Sequence, residues 1–355
     1  MSPNRDEVLR VDDLTVRFPR GGGLTGRPHN WLTAVDQVNF TIRRGETLAL
    51  VGESGSGKTT TGRAVVRVQS TTSGRITLLG QDITALSGSA LRRVRQHLQM
   101  VFQDPTGSLN PRRTVSQVLE ESLRAHGMSR AEAESAAVEL MEQVGLGRIH
   151  RDKYPHELSG GQRQRVGIAR ALSPRPSVVV CDEPVSSLDV SIQAQIMLLL
   201  QRLQAEMGLA YLFVSHDLAV VQSLAHRVAV MFRGRLVEIG TVGQVFAAPR
   251  HPYTAALLAA VPRGDPDARR STVIGLRSAS TDEVASAGCP FRNRCWAYEA
   301  LGRPTDCEET PPDVIRENVP GVEWAAACHH SDEVSVLATQ ELGAVLAAST
   351  GMEEE

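Results

Sequence analysis

Residues 52–59 read Gly52-Glu53-Ser54-Gly55-Ser56-Gly57-Lys58-Thr59, followed by Thr60. An apolar run, Thr47-Leu48-Ala49-Leu50-Val51, precedes them, and residues 60–68 read as a helix. A strand, then G-x-x-x-x-G-K-[ST], then a helix is the context a phosphate-cradling loop requires. Its glycines admit φ > 0 and let backbone N–H groups approach an anion with no Cβ in the way. The helix N-terminus adds a partial positive charge. Lys58 is placed to reach β- and γ-phosphates, and the Thr59 hydroxyl to ligate Mg²⁺. A glycine-rich surface turn would need neither the strand nor the lysine–hydroxyl pair.

A second apolar run, Ser177-Val178-Val179-Val180-Cys181, delivers Asp182 and Glu183 together. Ligands of open α/β sheets bind at such strand ends. Asp182 is suited to hold Mg²⁺ through its water shell, and Glu183 to polarise an attacking water as general base. The competing reading, a solvated acidic turn, loses weight because of the upstream loop. Leu158-Ser159-Gly160-Gly161-Gln162 then precedes a helical stretch, residues 163–172. Ser159 can cap that helix and the glycines can turn N–H groups toward an anion. From these five residues alone, a plain N-cap and a second phosphate-binding helix start both stand.

These groups need elements to carry them. Strands are expected at residues 8–18, 35–42, 47–51, 74–79, 98–102, 177–181 and 209–214, the last running into Ser215-His216-Asp217. A flexible loop is expected at 19–30, and helices at 91–96 and 192–207. Residues 111–171 are rich in Glu, Gln, Arg, Ala and Leu, with apolar spacing near 3.6, as in Val115, Val118, Leu119 and Leu123. They read as a helical subdomain inserted in an α/β core. Pro249, Pro252, Pro262 and Pro266 mark a boundary, beyond which βαβ rhythm fades. The end, Glu353-Glu354-Glu355, reads as frayed.

With 355 residues, the chain can hold two domains, or one large domain and an appendage. A net charge of -2 argues against non-specific nucleic-acid binding, and 4% aromatics against base-stacking platforms. No apolar run approaches the roughly 18–20 residues of a membrane span. The polar N-terminus shows no secretory signal, so a cytosolic chain is expected. Any membrane process would draw its spanning helices from other subunits.

Taken in order, the P-loop, Gln103, Leu-Ser-Gly-Gly-Gln, Asp182-Glu183, Ser186-Ser187-Leu188-Asp189 and His216 resemble the nucleotide-binding subunit of an ABC transporter over about residues 8–250. The resemblance implies an α/β P-loop NTPase fold with a RecA-like core, an antiparallel β subdomain and a helical subdomain at about 105–171. It implies ATP and Mg²⁺ as cofactors. Gln103 resembles the Q-loop glutamine, which contacts Mg²⁺. Ser159, Gly160, Gly161 and Gln162 resemble the signature that binds the γ-phosphate of ATP on an opposite subunit. Asp189 resembles the D-loop aspartate of the dimer interface. His216 resembles the switch histidine that orders water near Glu183, and Phe18 the aromatic stacked on adenine.

Met100-Val101-Phe102-Gln103-Asp104-Pro105, Ser108-Leu109-Asn110-Pro111-Arg112 and His251-Pro252-Tyr253-Thr254 are similar to the oligopeptide/dipeptide importer ATPases, in particular the second (F-type) ATPase of the pair. That resemblance implies a catalytic domain at 1–250, an importer-type extension at 251–335 and a tail at 336–355. It further implies two transmembrane permease subunits, a second ATPase in a heterodimer rather than a homodimer, and an extracytoplasmic solute-binding protein acting indirectly. The location implied is the cytoplasmic face of the cell membrane. An importer of nickel or another small solute, or a soluble non-transport ATPase of the same family, is the alternative.

The extension carries Cys289, Cys295, Cys307 and Cys328, spaced C-x5-C-x11-C-x20-C. Four clustered thiols in a reducing compartment point to a metal site before disulfides. The sequence lacks the close C-x2–4-C pairs usual for zinc. Relatives in the peptide-importer family carry similarly spaced cysteines, some as an iron–sulfur site, which implies a 4Fe–4S cluster with zinc as the alternative. His329 and His330 are possible substitute ligands, and Cys181 is expected to be a small core residue.

Overall fold

The computed structural model describes residues 6–22, 28–261, 274, 287–316 and 324–350. Strand β1 (Glu7–Gly22) turns back as β2 (Pro28–Arg43), and β3 (Thr47–Val51) feeds the glycine-rich loop and helix α1 (Lys58–Val65). Strands β4 (Ser73–Leu78) and β5 (Gln81–Asp82) follow, then α2 (Gly88–Arg95) and β6 (Leu98–Val101). The helical segment is α3 (Pro105–Ser108), α4 (Val115–Ala125), α5 (Arg130–Gln143) and α6 (Gly160–Leu172). The core resumes with β7 (Val178–Asp182), α7 (Val190–Met207), β8 (Ala210–Val214), α8 (Leu218–Leu224), β9 (Arg227–Phe232) and β10 (Arg235–Thr241). Beyond it lie α9 (Val242–Ala247), α10 (Pro252–Ala259), α11 (Trp296–Ala300), α12 (Asp306–Glu309), β11 (Ala325–Ala326) and α13 (Ser331–Thr350).

Two sheets result, one ordered β2-β1-β4-β5 and antiparallel, the other ordered β11-β10-β9-β3-β8-β7-β6. In the larger sheet β6, β7, β8, β3 and β9 run parallel. Their carboxyl ends therefore open on one edge, which gathers the glycine-rich loop after β3, Gln103 after β6, Glu183 after β7 and His216 after β8. Side chains alternate between faces, as strand geometry demands. Val178, Val180, Leu212 and Val214 join the core beneath the antiparallel sheet, while Val179, Cys181, Tyr211 and Phe213 join the core under the helical segment. A third core lies on the other side of β9, where Val228, Val230 and Phe232 meet Tyr253, Phe291 and Trp296.

Of the loop expected at 19–30, the described residues 19–22 and 28–30 are strand. Pairing continues through Phe18↔Leu32, Pro19↔Trp31, Arg20↔Asn30 and Gly22↔Pro28. Pro19, Gly21, Gly22 and Pro28 stand in this ladder despite their loop-like composition, because an antiparallel ladder can extend past its core-facing residues. Helix α1 also starts earlier than the sequence suggested, at Lys58, and ends at Val65 rather than at residue 68. Pro262, Pro266 and the acidic end at 353–355 lie outside the described residues.

The extension is tied to β10 through a buried carboxylate. Glu238 accepts the backbone N–H groups of Arg250 (2.9 Å) and His251 (3.0 Å) and the Trp324 indole N–H (3.0 Å). Burial pushes its pKa up despite these donors. Strand β11 then pairs with the same stretch, Glu238↔Ala326 and Ile239↔Ala325. Among the described residues, no helix is long and apolar enough to cross a membrane.

Candidate functional site

A cleft of about 470 Å³ lies at the carboxyl edge of the parallel strands. Ser54, Gly55, Gly57, Lys58, Thr59, Thr60, Gln103, Glu183 and His216 line it, together with Ala34 of β2. Gly57 is the left-handed N-cap of α1 (φ 105°) and supplies no side-chain cap, so the first-turn N–H groups stay available to a ligand. Lys58 Nζ donates to the carbonyls of Gly52 (2.8 Å) and Glu53 (2.9 Å), which folds the loop around the ammonium. Burial lowers the Lys58 pKa, and the carboxylates of Glu183, Asp182 and Glu53 act in the opposite direction.

Thr59 Oγ1 donates to Asp182 Oδ1 at 2.9 Å. The other oxygen, Asp182 Oδ2, is buried with no hydrogen-bond partner, as is Ser56 Oγ nearby in the loop. Burial is the main cause of the raised Asp182 pKa. An unsatisfied buried carboxylate oxygen beside a threonine hydroxyl is the donor set a hard, hydrated cation takes. Glu183 is gripped from two sides: Gln103 Nε2 donates to Oε2 at 2.9 Å, and His216 Nδ1 lies 3.3 Å from Oε1. Its backbone is left-handed (φ 45°), an uncommon conformation for a non-glycine residue. Such conformations concentrate where a side chain must be aimed.

The signature segment forms a separate cluster. Ser159 caps α6 in a reciprocal box, with Gln162 N–H on Ser159 Oγ (3.3 Å) and Ser159 N–H on Gln162 Oε1 (3.0 Å). A Cβ at Gly160 would meet Leu188 at 3.2 Å, and one at Gly161 would press on Ile192, so the segment of Asp189 packs tightly on the glycines. Asp189 is exposed at the N-cap of α7 and makes no side-chain cap. None of Ser159, Gly160, Gly161, Gln162 and Asp189 lines the cleft of the same chain. Phe18 is half-buried against the core beneath the antiparallel sheet and does not line the cleft either.

Residues missed by sequence reasoning brace the cleft from behind. The Tyr253 hydroxyl accepts the Glu53 N–H at 2.8 Å, and Arg294 pairs with the Glu53 carboxylate at 2.8 Å. Only the His251-Pro252-Tyr253-Thr254 run gave any signal, and it gave no hint of where Tyr253 points.

Cys289, Cys295, Cys307 and Cys328 lie within electrostatic reach of one another. Burial, then the neighbouring thiols, pushes Cys295 and Cys328 up to about 12 and Cys307 to about 11. Burial raises Cys289 as well, and its N–H donates to the Cys307 carbonyl at 2.9 Å. Among the described residues, the group of three or more metal-capable side chains with all ligand atoms within 4.8 Å is Asp306, Cys307 and His330. His330 Nε2 sits 3.0 Å from Asp306 Oδ1, and His329 Nε2 2.9 Å from the Thr310 carbonyl. Cys181 is fully buried in β7.

Residues 35–186 match the ABC transporter family, and residues 237–300 match the oligopeptide/dipeptide transporter C-terminal region. The glutathione import ATP-binding protein GsiA of Pectobacterium atrosepticum is 50% identical over 282 residues, 79% of this chain and 45% of that protein. GsiA of Escherichia coli K12 is 51% identical over 266 residues, 75% of this chain and 43% of that protein. The chain thus spans less than half the length of these curated relatives. The dimeric post-hydrolysis structure of the ATP-binding cassette MJ0796, bound to ADP and Pi, superposes with a TM-score of 0.59 at 28% identity, covering 66% of this chain and 98% of that one. CbiO1 from Clostridium perfringens, part of the ABC transporter complex cbiONQ, gives 0.59 at 29% identity, covering 68% and 91%. Sequence, fold and cleft agree: the chain belongs to the ABC transporter ATP-binding family, in the branch that carries the oligopeptide/dipeptide transporter C-terminal region.

Proposed function

We propose that the chain is the ATP-hydrolysing subunit of an importer that takes up glutathione, di- or oligopeptides. The observation that carries this reading is the grip of Gln103 and His216 on Glu183 at the mouth of the phosphate-binding cleft. The N–H groups of α1 and Lys58 hold the β- and γ-phosphates. Thr59 and Asp182, with Gln103, would hold Mg²⁺, which when bound supplies charge neutralisation on the phosphates. Glu183 takes the proton of the attacking water, and Gln103 and His216 keep its carboxylate aimed. Ser159 to Gln162 and Asp189 lie off the cleft of their own chain, which supports a role across a dimer, closing the site of a second ATPase subunit. We favour a related partner chain over a second copy.

A groove of about 650 Å³ beside the cleft, lined by Arg63, Arg95, Phe102, Gln103, Asp104 and Arg170 among others, supports contact with permease subunits at the cytoplasmic face of the membrane. Gln103 lines both the groove and the cleft, so movement in one reaches the other. A binding protein outside the membrane would deliver the solute. Import of glutathione by relatives at half identity supports a small peptide as that solute.

For the extension we favour a 4Fe–4S cluster on Cys289, Cys295, Cys307 and Cys328. The four thiols are close enough to raise one another's pKa, and the sequence lacks the close C-x2–4-C pairs usual for zinc, which supports a cluster held by all four. Visible absorbance of anaerobically purified protein, lost in Cys289→Ser, is expected; a colourless protein with one zinc per chain would overturn the assignment. For the cleft, Glu183→Gln is expected to lower the rate of phosphate release about 10²–10⁴-fold while keeping ATP affinity. Hydrolysis by that variant at the parental rate would remove Glu183 as the base.

A further inference from the structure

The extension reaches the phosphate-binding loop at Glu53 and holds it by both backbone and side chain. Tyr253 Oη accepts the Glu53 N–H at 2.8 Å. Arg294 donates through Nη2 to Oε1 (2.8 Å) and through Nη1 to Oε2 (3.1 Å), a two-pronged pair across 241 positions of sequence. Both partners are fixed in turn. Tyr253 is fully buried, its ring 4.9 Å from Phe232 and 5.7 Å from Phe291, centroid to centroid. The Arg294 side chain is 12% exposed and its guanidinium stands 5.5 Å from the Phe232 ring centre. Its N–H donates to the Phe291 carbonyl (2.9 Å), inside the short turn that joins Cys289 to Cys295.

Glu53 is also the residue on which the loop closes. Its carbonyl accepts Lys58 Nζ (2.9 Å) and the Ser56 N–H (3.2 Å). The extension thus grips the N–H and the carboxylate of the residue whose carbonyl aims the phosphate-binding lysine. Neither Tyr253 nor Arg294 lines the cleft, so any effect on nucleotide passes through Glu53. We propose that Arg294 and Tyr253 are positioning residues for ATP, and that the turn between Cys289 and Cys295 sets ATP affinity through them. This rests on the reading of the cleft as an ATP site.

The test is equilibrium binding of Mg-ATP to the full chain, with steady-state hydrolysis in parallel. Arg294→Ala is expected to weaken binding about fivefold to tenfold and to raise KM similarly, with kcat within about twofold. Arg294→Lys keeps one prong and recovers part of the loss. Tyr253→Phe, which removes only the hydroxyl, weakens binding about twofold to fivefold. Glu53→Gln matches Arg294→Ala, and the double variant is no worse than either single one. Unchanged affinity in Arg294→Ala with a lowered melting temperature would make the pair merely structural and overturn the proposal; so would losses that add in the double variant. If the parent chain itself fails to bind ATP, the reading of the cleft falls first.

Discussion

Glu183 and Gly52 are the residues on which backbone geometry acts most directly. The left-handed backbone at Glu183 turns its carboxylate off the end of β7 and toward Gln103 and His216. Gly52 has φ 151°, and a Cβ there would fall on the Met231 carbonyl and within 2.9 Å of Ser56 Oγ. Gly55 has φ 78° with open space around the same position. Gly52→Ala is therefore expected to destabilise the nucleotide-free protein by about 3 kcal/mol, and Gly55→Ala by about 1 kcal/mol. Denaturant unfolding of the two variants checks the order; equal losses would mean that the clash at Gly52 is relieved at no cost. The meeting of Lys58, Thr59, Asp182 and Glu183 was legible because the carboxyl ends of parallel strands open on one edge, where the segments that follow β3 and β7 must lie together. Phe18 was less so, because an aromatic at a strand end reads alike whether it packs inward or faces a ligand.

Four helices start from the same kind of cap. Thr114 with Gln117, Ser129 with Glu132, Ser159 with Gln162 and Thr241 with Gln244 all form reciprocal boxes. Helix α10 departs from that pattern, because its N-cap is His251, whose Nδ1 accepts the Tyr253 N–H at 3.1 Å. Burial drops the His251 pKa from 6.5 to about 3. As pH falls below 6.5 the unfolded chain gains a proton here that the folded chain refuses, so this residue's contribution to stability declines toward pH 3. Neighbouring Glu238 acts with the opposite sign, because its raised pKa lets the folded state take up a proton first. His251→Asn keeps a cap acceptor and removes the titration. The stability of the wild type relative to this variant is expected to fall by about one to a few kcal/mol between pH 7.5 and pH 4.5. Parallel unfolding curves at both pH values check it; a pH-independent difference would refute a neutral cap.

The hairpin of β1 and β2 was hidden by composition. Its glycines and prolines read as loop, but cross-strand pairing overrides local preference when a partner strand is already in place. The continuous apolar runs at 47–51, 177–181 and 209–214, by contrast, make the central strands of the larger sheet legible from sequence before any pairing is known.

At the scale of the whole molecule, the sequence spelled out the nucleotide-binding body but not its attachment to the extension. The bonds from Tyr253 and Arg294 to Glu53 span 200 and 241 positions, and no local pattern announces a contact of that range. Helix α13 leaves little trace in the sequence for a related reason. Val334, Ala338 and Leu342 repeat every four residues and are buried in the third core, but small residues around them blunt the signal. The extension is joined to the body through the Glu238 carboxylate, the aromatic cluster around Phe291 and the Glu53 pair.

The two-residue strand β11 has a consequence for how the chain can be shortened. It occupies the outer edge of β10, where the sheet would otherwise end in unpaired N–H and C=O groups. An exposed edge of that kind recruits strands from other molecules. Ending the chain at residue 316 would also take away Trp324, a donor to Glu238. Such a truncated protein should self-associate on purification, as light scattering would reveal, whereas ending the chain at residue 342 should leave it monodisperse. On that expectation, two residues of a segment that takes no part in the chemistry keep the nucleotide-binding body from pairing with its neighbours.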